Sequence, residues 1–349
     1  MYGIHPALPA YLAEQWHREE PDNYHQQRAV AEAALLDAYA DLGIWLHRQI
    51  QTGDAAIAFK MIDWQWRTFG HLLGNALDSG LWDQAHALAA PLGGYWNARG
   101  LYEEARGWVN RARLSLETAD GTPPPLDDPA GALWLFFTDY QAQSELNAHQ
   151  LDTAERTYLE IRDMLHTQPQ SLQQLQRLAV IYHHLGAVAQ DQGHLDDAEE
   201  WHRQSLTIKQ KLGNRPGMAA TYHELGLIAQ QRGRLDDAEE WHRQSLTISE
   251  ELSDQHAMAL SFVLLGLLTE TQGRVDEALE WTVRCITLFD EFPHPMTGPG
   301  PMHLARLTAE LGIETLERCW RRVTGQTLPP SVRDFVTAGP AEDVEGTRE

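Results

Sequence analysis

Seventeen histidines stand among 349 residues, and their spacing is the first thing in this chain that could do chemistry. His183 and His184 are adjacent, His223 follows His183 by forty residues, and His202 and His242 repeat each other at the same interval. Imidazoles on neighbouring helices could share a transition metal, since packed helices lie about 8–10 Å apart. A metal reading pairs His183 with His223 and places Asp191 nearby. No further ligand stands at zinc-like spacing, so the histidines read instead as polar residues of a binding surface or as copies inherited by duplication. Two of them, His202 and His242, sit beside tryptophans and are expected to pack or to face solvent.

Other catalytic signatures are absent. The sequence holds no G-x-x-x-x-G-K-[ST] phosphate loop, no G-x-G-x-x-G, no H-E-x-x-H, no C-x-x-C pair and no G-x-S-x-G elbow. Cys285 and Cys319 make no disulfide framework and read as idle thiols in a reducing cytoplasm. The expectation is a protein with no catalytic residues, no cofactor and no metal; an enzyme or metalloprotein built on helices is the distant alternative.

The elements that would position such residues follow from a duplication. Leu195 to Ile208 reads LDDAEEWHRQSLTI, and Leu235 to Ile248 reads the same fourteen residues. A diverged third copy keeps the period: Tyr182, Tyr222 and Phe262 align, as do Leu185, Leu225 and Leu265, and Gly186, Gly226 and Gly266. The alignment continues through Gly193, Gly233 and Gly273, through Ala198, Ala238 and Ala278, and through Trp201, Trp241 and Trp281. Within the first copy, Tyr182, Leu185, Gly186 and Ala189 fall on one helical stripe, and Gly193 suits a helix stop. Asp196 and Asp197 then open a second helix, where carboxylates suit the positive end. A single helix pair cannot bury such stripes, so neighbours must stack. The three tryptophans lie on the second-helix stripe and read as core, whereas Trp64 and Trp66, two residues apart, point to different faces.

Aromatic, Leu-Gly, Gly, Ala and aromatic at these positions resemble the tetratricopeptide repeat in its long, 40-residue form, as in kinesin light chains and in regulators similar to the maltose activator. The resemblance implies an all-α, right-handed α-α superhelical solenoid with a C-terminal capping helix. The array spans 130–292, with clear units at 178–217, 218–257 and 258–292. A weaker copy before them follows Phe137, Tyr140, Ala148, Leu151, Ala154 and Tyr158, with Gln141 and Ala148 in place of the glycines.

In that family the first helices line a concave groove. The resemblance places there His183, Ala187, Gln190 and Asp191; His223, Leu227, Gln230 and Gln231; and Val263, Leu267, Glu270 and Thr271. Bordering it are His184, Glu224 and Leu264, where many relatives carry Asn. The Lys/Asn/Arg clamp for a carboxyl-terminal peptide acid is also missing, which argues against a chaperone-tail role. The expected partner is a protein or peptide segment.

Composition narrows the rest. With 27 basic against 50 acidic residues the net charge is −23, and the lysines are Lys60, Lys209 and Lys211. That excludes the basic footprint of a nucleic-acid surface and disfavours anionic membranes. No apolar run approaches the roughly 20 residues of a spanning helix, and no signal-peptide pattern opens the chain.

Residues 21–129 read as degenerate helical pairs and a Pro-rich loop, with Leu81 to Glu117 holding two irregular pairs. Residues 293–337 read as capping helices, one of them running from Met302 to Val323, and 338–349 as an acidic disordered tail. At the amino end MYGIHPALPAYL resembles the close of the winged-helix segment in NB-ARC-type (STAND) signal-transduction ATPases, which makes 1–20 a possible remnant of that segment. GGYWNARGLYEEARGWVNRARL resembles the opening of sensor arrays in the same class. These likenesses imply the sensor array of a STAND regulator, with an NTPase module in the same parent protein as a partner. A constitutive scaffold that tethers a complex is the alternative.

Overall fold

A computed structural model of the chain describes residues 8–19, 21–53, 55–168 and 171–338. Every regular element among them is helical. The amino-terminal MYGIHPA motif and residues 339–349 lie outside the described residues. Two compact units divide between Met164 and Leu165.

In the first unit, α1 (Leu8–Glu19) precedes the long α2 (Tyr24–Thr52) and α3 (Ala55–Asp78), which pack with α4 (Trp82–Arg99), α5 (Tyr102–Leu116) and α6 (Pro129–Asn147). Leu46, Ile62, Phe69, Leu73, Leu88, Trp96, Leu133 and Phe137 supply its buried core. Leu81–Glu117 forms one helix pair, not the two expected. Gly80 and Gly100, at φ 68 and 67, each end one helix and admit the next, so each Gly-Leu-aromatic step opens a single helix. The turn into α7 (Leu151–His166) is made by His149 at φ 54, a left-handed position that the later repeats give to glycine. Counting from His149 rather than Ala148, no residue is inserted before Leu151; Thr138, Gln141 and Ala142 then take the places of Tyr182, Leu185 and Gly186, Phe137 and Tyr140 fall out of register, and Tyr158 takes the place that His202 holds later.

In the second unit the pairs are α8 (Leu172–Asp191) with α9 (Leu195–Lys211), α10 (Arg215–Gln231) with α11 (Leu235–Leu252), and α12 (Gln255–Thr271) with α13 (Val275–Ile286). Each helix packs on the next, as stacked pairs must. Gly193, Gly233 and Gly273, at φ 79, 70 and 77, stop the first helices. The recurring aromatics stack within each pair: Tyr182 on Trp201 at 5.5 Å, Tyr222 on Trp241 at 5.6 Å and Phe262 on Trp281 at 5.8 Å. The tryptophans are half-buried. Trp241 stacks on its own Tyr222 and packs against the cluster of Ala229, Ala238 and Leu268, which spans two pairs.

A repeated buried hydrogen bond ties second helix to first: Ser205 Oγ donates to the Ala179 carbonyl at 2.6 Å, and Ser245 Oγ to Ala219 at 2.9 Å. The third copy keeps this link with a thiol, Cys285 Sγ to Ala259 O at 3.7 Å. Burial pushes that thiol up to about 12, so it stays protonated and unreactive at neutral pH.

Beyond the repeats, the helix expected over Met302–Val323 is two helices, α14 (Gly300–Leu311) and α15 (Ile313–Thr324). Gly312, at φ 84, breaks the run. With α16 (Pro330–Ala338) they close the exposed end of α13 through Leu279, Val283, Leu304, Leu307, Leu316, Trp320 and Val332. No described helix is long and apolar enough to cross a membrane.

Candidate functional site

The first helices α8, α10 and α12 carry every residue expected to face the groove. Their i, i+4, i+7, i+8 spacing sets each group on one side of its helix. Asp191, Gln231, Leu267 and Thr271 are exposed; His183, Ala187, Gln190, His223, Leu227, Gln230, Val263 and Glu270 are half-buried, as are His184, Glu224 and Leu264 at the border. Asp191 of α8 acts electrostatically on Glu224 of α10, and Glu270 of α12 pairs with Arg306 of α14.

Two of these side chains are already engaged. Beneath the surface, each first-helix glycine is the seat of a ring. A Cβ on Gly186 would stand 2.6 Å from His202 Nε2, and one on Gly226 would stand 2.6 Å from His242 Nδ1. His202 and His242 are fully buried and do not reach solvent. Gln230 holds its ring, with Oε1 3.3 Å from His242 Nε2.

In the third pair Thr282 occupies the histidine position, and the missing imidazole arrives from outside the repeat. His303 of α14 bonds Thr282 at 3.1 Å and Glu270 at 3.0 Å. Glu270 also receives Arg306, whose guanidinium, with His303, holds its carboxyl below the ordinary range. Gln230 and Glu270 therefore do the same internal task at equivalent positions, and neither is a free groove residue.

The electrostatics of this layer are those of buried neutral imidazoles. Burial lowers His202 to about 3, with His183, Lys209 and His184 adding to the effect. It likewise lowers His183, His184 and His242 to about 4. His183 lies 5.2 Å from His202 and His223 lies 5.9 Å from His242, ring to ring within a repeat. Metal bridging across repeats finds no support in these pairings, and among the described residues no three His, Cys, Asp or Glu side chains gather as a metal site.

Ion pairs on another side of the stack link one repeat to the next. Glu199 accepts from Arg203 at 2.6 Å, and from Arg232 and Arg234 of the following turn at 2.6 and 2.5 Å. Glu239 accepts from Arg243 at 2.8 Å and from Arg274. Sequence reasoning passed over this ladder, and it passed over Lys209, Thr221, His303 and Arg306. Its signal was a 35-residue offset between Glu and Arg, present in both copies. For Lys209 the signal was its place as the first difference after fourteen identical residues, against Ser249.

Comparison with known proteins agrees with this architecture. The tetratricopeptide repeat family model matches residues 177–251 and 217–291. The crystal structure of BtubC (BKLC) from P. vanneervenii is similar over 71% of this chain and 94% of its own, at 18% identity and a TM-score of 0.50. A putative kinesin light chain with nearly identical TPR-like repeats from Podosopora anserina matches 55% of this chain and 97% of its own, at 20% identity and TM-score 0.44. The Rap conjugation gene regulator of plasmid pLS20, solved with the Phr* peptide, matches 72% of this chain and 74% of its own, at 15% identity and TM-score 0.45. No curated protein sequence matches.

Proposed function

We propose that this chain, whose residues 177–291 are tetratricopeptide repeats, is a non-catalytic interaction protein that binds a protein segment along the surface of α8, α10 and α12. One observation carries the reading. The second helices of the first two repeats are identical over fourteen residues, while the first-helix surface differs: His184 against Glu224, Ala187 against Leu227, Asp191 against Gln231. Packing constrains the scaffold in both copies, and the exposed positions Asp191, Gln231, Leu267 and Thr271 are left to vary with what they touch. The stripe mixes amide, imidazole and aliphatic side chains, which suits a polypeptide better than a polyanion, and the net charge of −23 opposes an anionic partner.

The two amino-terminal resemblances extend this to a finer role, the sensor array of a STAND-type regulator acting on an NTPase module of the same parent protein. A constitutive scaffold needs no such module. A phosphate loop encoded upstream in the same reading frame would favour the sensor. The groove itself is tested with a displayed library of random dodecapeptides selected on the full chain. Gln231→Ala with Leu267→Ala removes two exposed side chains and leaves the buried ring seats intact. It is expected to weaken selected peptides about tenfold with the thermal midpoint unchanged. Unaltered affinity across the selected set would place binding elsewhere on the molecule.

A further inference from the structure

The boundary between the first two repeats holds a polar cluster that the fold does not require. Lys209, at the end of α9, is only 6% exposed. Its Nζ donates to Thr221 Oγ1 at 2.8 Å, its sole hydrogen bond, and no carboxylate lies within ion-pair distance of it. Glu224, three residues beyond Thr221 on α10, is half-buried at the groove border and likewise has no hydrogen-bonded or ionic partner. Burial and the nearby Asp191 push its carboxyl above the ordinary range and burial pulls the Lys209 ammonium down to about 8, and these two charges partly offset that by acting on each other across the gap between them. His183, His184 and His202 all lie within electrostatic reach of Lys209. Both ring nitrogens of the fully buried His202 lack a partner, as does His183 Nδ1.

The next boundary is an internal control. Forty residues on, Lys209, Thr221 and Glu224 become Ser249, Ser261 and Leu264. The helices there pack in the same order with the same aromatic stacking. A buried ammonium whose opposing charge stands beyond hydrogen-bond reach is a net cost to a fold, and this chain demonstrates a join that avoids it. Unpaired, desolvated charges beside a surface open to a partner are what a binding site keeps at the expense of stability.

The geometry points to a subsite between α8, α9 and α10 that takes one carboxamide side chain, Asn or Gln, of the bound segment. The inference rests on the groove reading above and deepens it. A cationic side chain would meet Lys209, and an anionic one would meet Glu224 and Asp191. A neutral group with an acceptor at one end and a donor at the other satisfies both. The carboxamide oxygen accepts from Lys209 Nζ and its NH₂ donates to Glu224. The boundary built from Ser249, Ser261 and Leu264 offers no such pair, so the preference belongs to one register of the groove.

The test uses the full chain, the same dodecapeptide library and the variant K209S/T221S/E224L, which imports the residues this protein itself uses one repeat later. Peptides selected on the unaltered chain are expected to share an Asn or Gln at one position. Replacing it by Ala, Glu or Lys weakens binding about tenfold or more on the unaltered chain and about twofold or less on the variant. The variant keeps its helicity and melts no lower than the parent. Lys209→Met alone, which keeps the aliphatic stem, serves as a second variant with the same expected loss of carboxamide preference. Peptides that depend on Gln231 and Leu267 yet show no such residue, or keep the preference on both variants, overturn the subsite and leave the groove standing. Peptides indifferent to Gln231 and Leu267 overturn the groove, and the subsite with it.

Discussion

Acidification should unfasten the repeats by charging the rings seated over Gly186 and Gly226. His202 and His242 are fully buried, and burial, the largest cause, holds them at about 3 and about 4. In the unfolded chain each titrates near 6.5. A base whose folded value is depressed stays neutral in the native state, so between that value and about 6.5 the unfolded state binds more protons. Stability is complete above about pH 7 and falls until the folded value is reached. Between pH 7.5 and 5 the unfolded state gains about 1.5 units of titration per ring. At about 1.4 kcal/mol per unit, that is about 2 kcal/mol each and about 4 kcal/mol for the pair. His183 and His184 shift the same way, with smaller effect because they are half-buried. Glu199, Glu239 and Glu270 have lowered values, so their contribution is lost only below the ordinary carboxylate range. In the other unit, Asp139 is raised by burial to about 6 and changes stability in the opposite direction over this interval. The assay is the urea midpoint at both pH values for the unaltered chain, for His242→Leu and for the double variant with His202→Leu. Each substitution should remove about 2 kcal/mol of the acid sensitivity. A flat response, an undiminished slope in the double variant, or native ring resonances titrating near pH 6.5 would refute the reasoning.

Gly226→Ala is expected to lower stability by about 2 kcal/mol, an overpacking penalty reduced by the better helix propensity of Ala. Gly266→Ala should be neutral within about 0.5 kcal/mol or slightly stabilising, since its added carbon would come no closer than 3.3 Å, to Thr282 Oγ1. Calorimetry on the pair checks both, and equal effects would mean that the His242 ring does not occupy its seat. Trp241→Ala, which removes the Tyr222 stack and the packing against the cluster that spans two pairs, should cost about 2–4 kcal/mol, below a fully buried tryptophan because its ring is half-buried. A loss under about 1 kcal/mol in chemical denaturation would place that ring in solvent.

Much of the architecture was legible in the linear order of residues. Identity at a constant interval, the helical stripes through Tyr182 and Tyr222, and the glycine stops at Gly193, Gly233 and Gly273 all belong to single segments. A local pattern is enough to determine helices, turns and the need to stack. The order of residues likewise set each proposed groove residue on one side of α8, α10 or α12, because helical spacing alone decides which side chains share a face. A single left-handed residue is not legible in this way: neither the histidine turn at His149 nor the mid-helix glycine at Gly312 announces its backbone angle.

Only the folded structure showed which of those side chains remain free. That Gln230 and Glu270 each hold an imidazole, that His303 crosses from α14 to replace the ring missing at Thr282, and that the buried Lys209 ammonium bonds Thr221 depend on residues 12 to 36 positions apart coming level across two helices. Spacing fixes a residue's direction around its own helix but not the height at which a neighbouring helix meets it. That height is set by close packing, here by the glycines that let the rings in.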